Sequence, residues 1–234
     1  MLKENEYSNE RLFIVLDTED TGISKIPVSS YKKPLSILRR GSEVIQIGGI
    51  VLNEKQEPIK LFCHYCDTVI ADSPEEALSV HGISQKVSRE YVRCQFLPEI
   101  ITAHLPELLF PNVCFIGYNV EFDMQMIGQS ISNSPIDWKY KPVMGNILPK
   151  TGRYSVDVIQ YLFSGNRRKR LSSFNDELRT KRDKFISIYG DKLSVQTNCI
   201  EMLSESWKRS HNSFFDALNT YILWGERVWK KKLL

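Results

Sequence analysis

The chain has 234 residues, 42% of them hydrophobic, with a formal net charge of +3 from 31 Lys and Arg against 28 Asp and Glu. That is enough apolar material for one substantial core and suits a single α/β domain over residues 1–234, while the total charge by itself demands no polyanionic partner. Five cysteines at irregular spacing argue against a closed disulfide framework, and no apolar run reaches membrane-spanning length, so the expectation is a soluble cytoplasmic protein that binds no membrane.

In chain order, Leu12 to Leu16 is a continuous apolar run, too short for a buried helix and suited to a central strand. Two further strands are predicted over Glu43 to Leu52 and Ile59 to Cys66, joined by the turn-like Asn53 to Pro58, so the chain opens as an antiparallel meander. Ser73-Pro74-Glu75-Glu76 is a helix start, with a side-chain cap, a proline and acids in the first turn. Phe96, Ile100, Ile101, Leu105, Leu108 and Leu109 fall at helical spacing and predict one longer amphipathic helix before a strand at Val113 to Tyr118. Strands then alternate with helices, the α/β pattern. Beyond about Asp157 the chain reads as mostly helical, and it ends in "SFFDALNTYILWGERVWKKKLL", where Ser213 is the expected cap.

The stretch "FIVLDTEDTG", Phe13 to Gly22, runs from buried-strand residues straight into carboxylates. Residues two apart in a strand share a face, so Asp17 and Glu19 converge while Thr18 turns away. Two carboxylates so placed are half of a site for a hard divalent cation, while taken alone they read first as a solvated strand end. A second acid, Asp123 in "NVEFDMQMI", sits near the start of a helix that follows a strand, where it also suits the helix dipole. A third segment, "HNSFFDAL", puts His211 five residues before Asp216, which has Phe214, Phe215, Ala217 and Leu218 around it and needs a partner if buried.

Together these segments read D-x-E after the first strand, YN-x-x-FD after a later strand, and H-x-x-x-x-D entering the terminal helix. The order resembles that of the DEDDh 3′-to-5′ exonucleases, which include the proofreading subunit of the bacterial replicative polymerase, RNase T and oligoribonuclease. Asp17, Glu19, Asp123 and Asp216 match the four family carboxylates, and His211 matches the histidine of the subgroup. Ala71 to Ser84, "ADSPEEALSVHGIS", is similar to a segment that the family commonly carries.

The resemblance implies an RNase H-like α/β fold with a mixed, roughly five-stranded sheet flanked by helices. It also implies two Mg2+ or Mn2+ ions held by Asp17, Glu19, Asp123 and Asp216, with His211 accepting the proton of the attacking water. Asp17 would bridge the two ions, Glu19 and Asp216 would complete the one nearer the nucleophile, and Asp123 would act on the other mainly through water. Thr18, Gly22, Ile23, His81 and Ile83 match positions that meet the terminal nucleotide, and Asn119 matches an asparagine supporting the site beside Asp123.

The implied activity is hydrolysis of single-stranded nucleic acid from its 3′ end to nucleoside 5′-monophosphates, with DNA favoured. Its rivals are an RNA-specific 3′-to-5′ exoribonuclease and a catalytically silent nucleic-acid-binding or polymerase-associated module. Homodimerisation and association with a larger nucleic-acid-processing complex are both open on this reading. Four features depart from the family pattern. Tyr118 replaces a common histidine, and Asp20 stands where threonine is usual. Insertions occupy about 26–41, which carries Lys32, Lys33, Arg39 and Arg40, and about 135–152. Cys63-x-x-Cys66 around His64 does not make a complete zinc set, because adjacent strand residues face opposite ways and no second cysteine pair follows.

Overall fold

The computed structural model describes residues 11–22, 42–69, 75–84, 94–110, 112–137, 139, 155–158, 175–199 and 212–228. His211, Ile23, Ser73, Pro74, the whole 26–41 insertion and most of the 135–152 insertion lie outside the described residues.

Among the described residues, seven strands form the sheet: β1 (Leu12–Asp20), β2 (Val44–Leu52), β3 (Pro58–Asp67), β4 (Gln95–Phe96), β5 (Val113–Gly117), β6 (Ser155–Asp157) and β7 (Ser194–Thr197). The spatial order is β4-β3-β2-β1-β5-β6, with β7 also paired to β3. The first three strands are the expected antiparallel meander, and β5 then joins β1 in parallel, with Leu12 opposite Val113. The two short edge pieces, β4 and β7, raise the count above five. With two and four residues, they are too short for the alternation that announces a strand.

Helices α1 (Glu75–His81), α2 (Leu97–His104), α3 (Val120–Asn133), α4 (Asn175–Tyr189) and α5 (Ser213–Leu223) complete the architecture. The long helix expected from Phe96 to Leu109 is broken. Leu105 leaves the helical region (φ −129°, ψ 46°), and Pro106 opens a separate 3-10 turn, Pro106–Leu109. A proline has no N–H to donate and disfavours helical backbone in the residue before it, so the apolar spacing persists while the helix stops.

Alternation along β1 separates two cores. Leu12, Ile14 and Leu16 pack with Val120, Met124 and Ile127 of α3 on one face. Phe13 and Val15 pack with Phe214, Phe215 and Leu218 of α5 on the other. Cys63 and Cys66 fall into different cores for the same reason. Each face buries more than fifteen residues, and at about 25 cal/mol per Å2 of apolar surface this burial is what fixes α3 and α5 to the sheet.

The approach of α5 is unusually close at Gly48. A Cβ there would lie 2.3 Å from the Phe214 nitrogen and 2.7 Å from the Ser213 carbonyl carbon. Backbone atoms cannot yield as a flexible side-chain end can. Gly48→Ala is therefore expected to cost about 2–3 kcal/mol, read from the midpoint of urea unfolding at unchanged slope.

Candidate active site

The strand period carries Asp17 and Glu19 past the apolar part of β1 onto the face that α5 covers, and Asp216 reaches the same place from the first turn of α5. One ligand oxygen from each of Asp17, Glu19 and Asp216 lies within 4.8 Å of the others. Glu19 and Asp216 are each only 8% exposed, and Asp123 only 4%. A hard divalent cation fits a set of three carboxylates that share one small volume.

Electrostatics follow from that crowding. Burial pushes the Asp17 carboxyl well above the usual carboxylate range, with Asp123, Asp216, Glu19 and Asp20 adding to the shift in that order. Burial likewise raises Glu19, followed by the charges of Asp216, Asp20 and Asp123. In the absence of a cation, the cluster holds protons that free carboxylates would have shed.

Asp123 reaches the site from the other side of the sheet. It sits in the first turn of α3 and accepts two hydrogen bonds at Oδ1 from Thr18, one from the backbone N–H at 3.0 Å and one from the hydroxyl at 2.8 Å. Thr18 does turn away from Asp17 and Glu19, and in doing so it meets Asp123. Burial raises the Asp123 carboxyl to about 7, against the lowering effect of the two Thr18 bonds. Asp123 is thus electrostatically coupled to Asp17 and Glu19 without belonging to the compact triad. Thr18→Val should push Asp123 higher still and cost about 1–2 kcal/mol of stability, measurable by denaturant unfolding beside a carboxyl titration.

The end of β1 is braced from several directions. Gly22 has φ 104°, a left-handed conformation suited to glycine, and its N–H donates to Asp20 Oδ1 at 2.6 Å. Asp20, whose charge still raises Asp17 and Glu19, is thereby folded back on its own turn, while the Ser42 hydroxyl donates to the Gly22 carbonyl. Thr21 and Glu43 exchange bonds, with Thr21 N–H donating to Glu43 O at 2.8 Å and Glu43 N–H to Thr21 Oγ1 at 3.0 Å. Glu43 also accepts from the Val69 N–H at 2.7 Å.

Other expected positions are less concentrated. His81 ends α1, and its Nδ1 accepts from the N–H of Ile83, which is 7% exposed. Asn119 is exposed at the start of α3 and makes no side-chain capping bond there. The expected cap of α5 moves by one residue. Asn212 is the cap, accepting from Phe214 N–H at 3.1 Å and Phe215 N–H at 3.4 Å, while Ser213 is the first helical residue.

Motif spacing gives no hint of Gln46. This residue is completely buried, and its Oε1 accepts from both the N–H and the hydroxyl of Ser213, each at 3.0 Å. The signal that could have found it is compositional: a lone glutamine inside the apolar run "VIQIGGIVL" needs a buried partner.

No protein-family model matches the sequence. No curated protein matches it either. Similarity appears in solved structures. E. coli exonuclease I in complex with a dA16 oligonucleotide aligns with a TM-score of 0.54 at 13% identity, over 94% of this chain and 42% of that one. The same enzyme with a 5cy-dT13 oligonucleotide gives 0.51 at 15% identity, over 94% and 41%. A product-bound exonuclease I gives 0.50 at 14% identity, over 94% and 45%. This chain spans less than half the length of these structures. At such identities the likeness establishes the fold, a mixed open sheet flanked by helices in the RNase H-like arrangement. Among the described residues, no helix is long and apolar enough to cross a membrane.

Proposed function

We propose that this protein is a divalent-metal-dependent 3′-to-5′ exonuclease of the DEDDh type, acting on single-stranded ends, with DNA favoured, and releasing nucleoside 5′-monophosphates. The observation that carries the reading is the convergence of Asp17, Glu19 and Asp216, two from one strand and one from a distant helix, on a volume within 4.8 Å. Independent packing of β1 and α5 has no reason to bring three mutually repelling carboxylates together unless a cation completes them. Support also comes from the exonuclease I structures that share the fold, among them complexes with a dA16 and a 5cy-dT13 oligonucleotide.

Asp17, Glu19 and Asp216 are the residues that would hold divalent cation, with Asp123 contributing from the opposite face through its charge. Bound Mg2+ or Mn2+ at such a site supplies a water nucleophile at neutral pH and neutralises charge developing on the phosphate. The chain's own residues do the rest. Thr18 fixes Asp123, the Asn212 cap fixes the first turn of α5, and His211, directly before that cap, is the general base for the attacking water. By the family resemblance, Gly22, Ile23, His81, Ile83 and Asn119 are the residues that would meet the terminal nucleotide. Apolar side chains there accept any base.

A time course with 5′-labelled single-stranded DNA and the matched RNA, with Mn2+, Mg2+ or chelator, tests the proposal. The expected result is a ladder that shortens from the 3′ end, is absent with chelator, is slowed by at least about a hundredfold in His211→Ala, and is faster on DNA. Cleavage of neither strand with either metal would sink the enzyme reading in favour of a binding module. Faster loss of the RNA would move the substrate to that strand.

A further inference from the structure

The position of Asp216 depends on how the first turn of α5 is seated, and that seat is built from β2. In the β1–β2 register Asp17 stands opposite Gly48 and Glu19 opposite Gln46. Directly paired residues of an antiparallel ladder share a face, so the acids on one strand and the seat on its neighbour lie side by side. Gly48 admits the α5 backbone through its missing Cβ, and Gln46 grips it through Oε1.

Every N–H of the first turn has an acceptor. Those of Phe214 and Phe215 go to Asn212 Oδ1 and that of Asp216 goes to Asn212 O, which leaves the Ser213 N–H for Gln46. Ser213 and Asp216 are three residues apart and therefore neighbours on one side of the helix. Holding Ser213 fixes where the Asp216 carboxylate arrives. Some such anchor is required, since three carboxylate oxygens share a volume within 4.8 Å and repulsion among their charged forms drives the helix end away from the strand. An amide suits the position better than a carboxylate, which would add one more negative charge beside Glu19.

We infer that Gln46 is a positioning residue that holds the start of α5 so that Asp216 shares a cation with Asp17 and Glu19. The inference rests on the metal-dependent reading of that triad and concerns a residue that touches neither substrate nor metal.

The test is Mn2+ affinity, measured by calorimetry with the metal alone in a double-mutant cycle of Gln46→Leu and Asp216→Asn. Gln46→Leu should weaken Mn2+ binding about tenfold in the wild-type background, the loss expected when two buried hydrogen bonds no longer hold a ligand in place. In the Asp216→Asn background the same substitution should change affinity by less than about twofold, because helix placement no longer matters to the metal. Equal losses in both backgrounds would reduce Gln46 to general support and overturn the inference, as would no loss in either.

If Asp216→Asn alone leaves Mn2+ binding intact, the metal-site reading fails, independently of Gln46. Should Gln46→Leu not fold, Ser213→Ala keeps the backbone bond to Gln46, removes the hydroxyl bond together with the Ser213 contact to Cys63, and is expected to weaken Mn2+ binding about threefold. Unchanged affinity in that variant would also overturn the inference.

Discussion

Asp17→Asn is expected to stop shortening of a 5′-labelled single strand while leaving the protein folded and, without metal, more stable than the parent. The carboxylate is the member of the cluster that feels every other acid: Asp123, Asp216, Glu19 and Asp20 all raise its proton affinity on top of burial. Replacing it by an isosteric amide removes the group on which cation binding depends, so several kcal/mol of transition-state charge stabilisation are lost. The corresponding fall in rate is about a thousandfold or more. The same replacement removes a carboxyl that the folded chain can ionise only against desolvation and four neighbouring acids, so the metal-free unfolding midpoint at pH 8 should rise by a few degrees. Loss of activity through misfolding would give the opposite thermal shift. The two readouts together separate a catalytic carboxylate from a structural one, and an active Asp17→Asn protein would remove the proposed chemistry from this site.

Much of the architecture is legible in the sequence because its signals are local. β1, β2, β3 and β5 announce themselves by apolar runs of strand length, and the convergence of Asp17 with Glu19 follows from a period of two. Hidden from a sequence reading is whatever depends on tertiary approach. The helix expected through Leu105 stops because Pro106 outweighs an unbroken apolar spacing. Ser213 has the residue type of a cap for α5, yet Asn212 takes that role, while Gln46, remote in sequence, accepts from both donors of Ser213. By motif order Asp123 belongs with the other acids at the strand end. Its carboxyl instead faces Thr18 from the α3 side, a placement set by which face of β1 each helix covers. Motif order cannot distinguish the two faces of a strand, whereas the alternation of core residues along β1 can.

A second large effect concerns the stability of the metal-free protein between pH 6.5 and 8.5. A carboxyl whose folded pKa lies above its unfolded value of about 4 binds its proton more tightly when folded. Its contribution to stability is therefore complete below about pH 4 and is lost as the pH rises through the folded pKa. Asp123 is raised to about 7, and burial raises Asp17 and Glu19 well above their ordinary values. The unfolding midpoint in chelator should therefore fall across this window. His64 works in the opposite sense, because burial followed by the charges of His104 and Lys60 lowers it to about 4. Its influence is confined below about pH 6.5, where the unfolded imidazole gains a proton that the folded one refuses. Above that pH the acids act without its opposition. Asp123→Asn should flatten the slope by removing the group that titrates inside the window. Mn2+ at a hundred times its dissociation constant should reverse the trend, adding about 2.7 kcal/mol at pH 8. The gain should be smaller at pH 6.5, where the cation must displace protons from its ligands. Scanning fluorimetry with and without chelator reads all of these effects. A metal-free midpoint that rose with pH would mean that the acids at the end of β1 are already ionised in the folded chain and need no cation to complete them, whereas a falling slope that survived Asp123→Asn would assign the titration to Asp17 and Glu19.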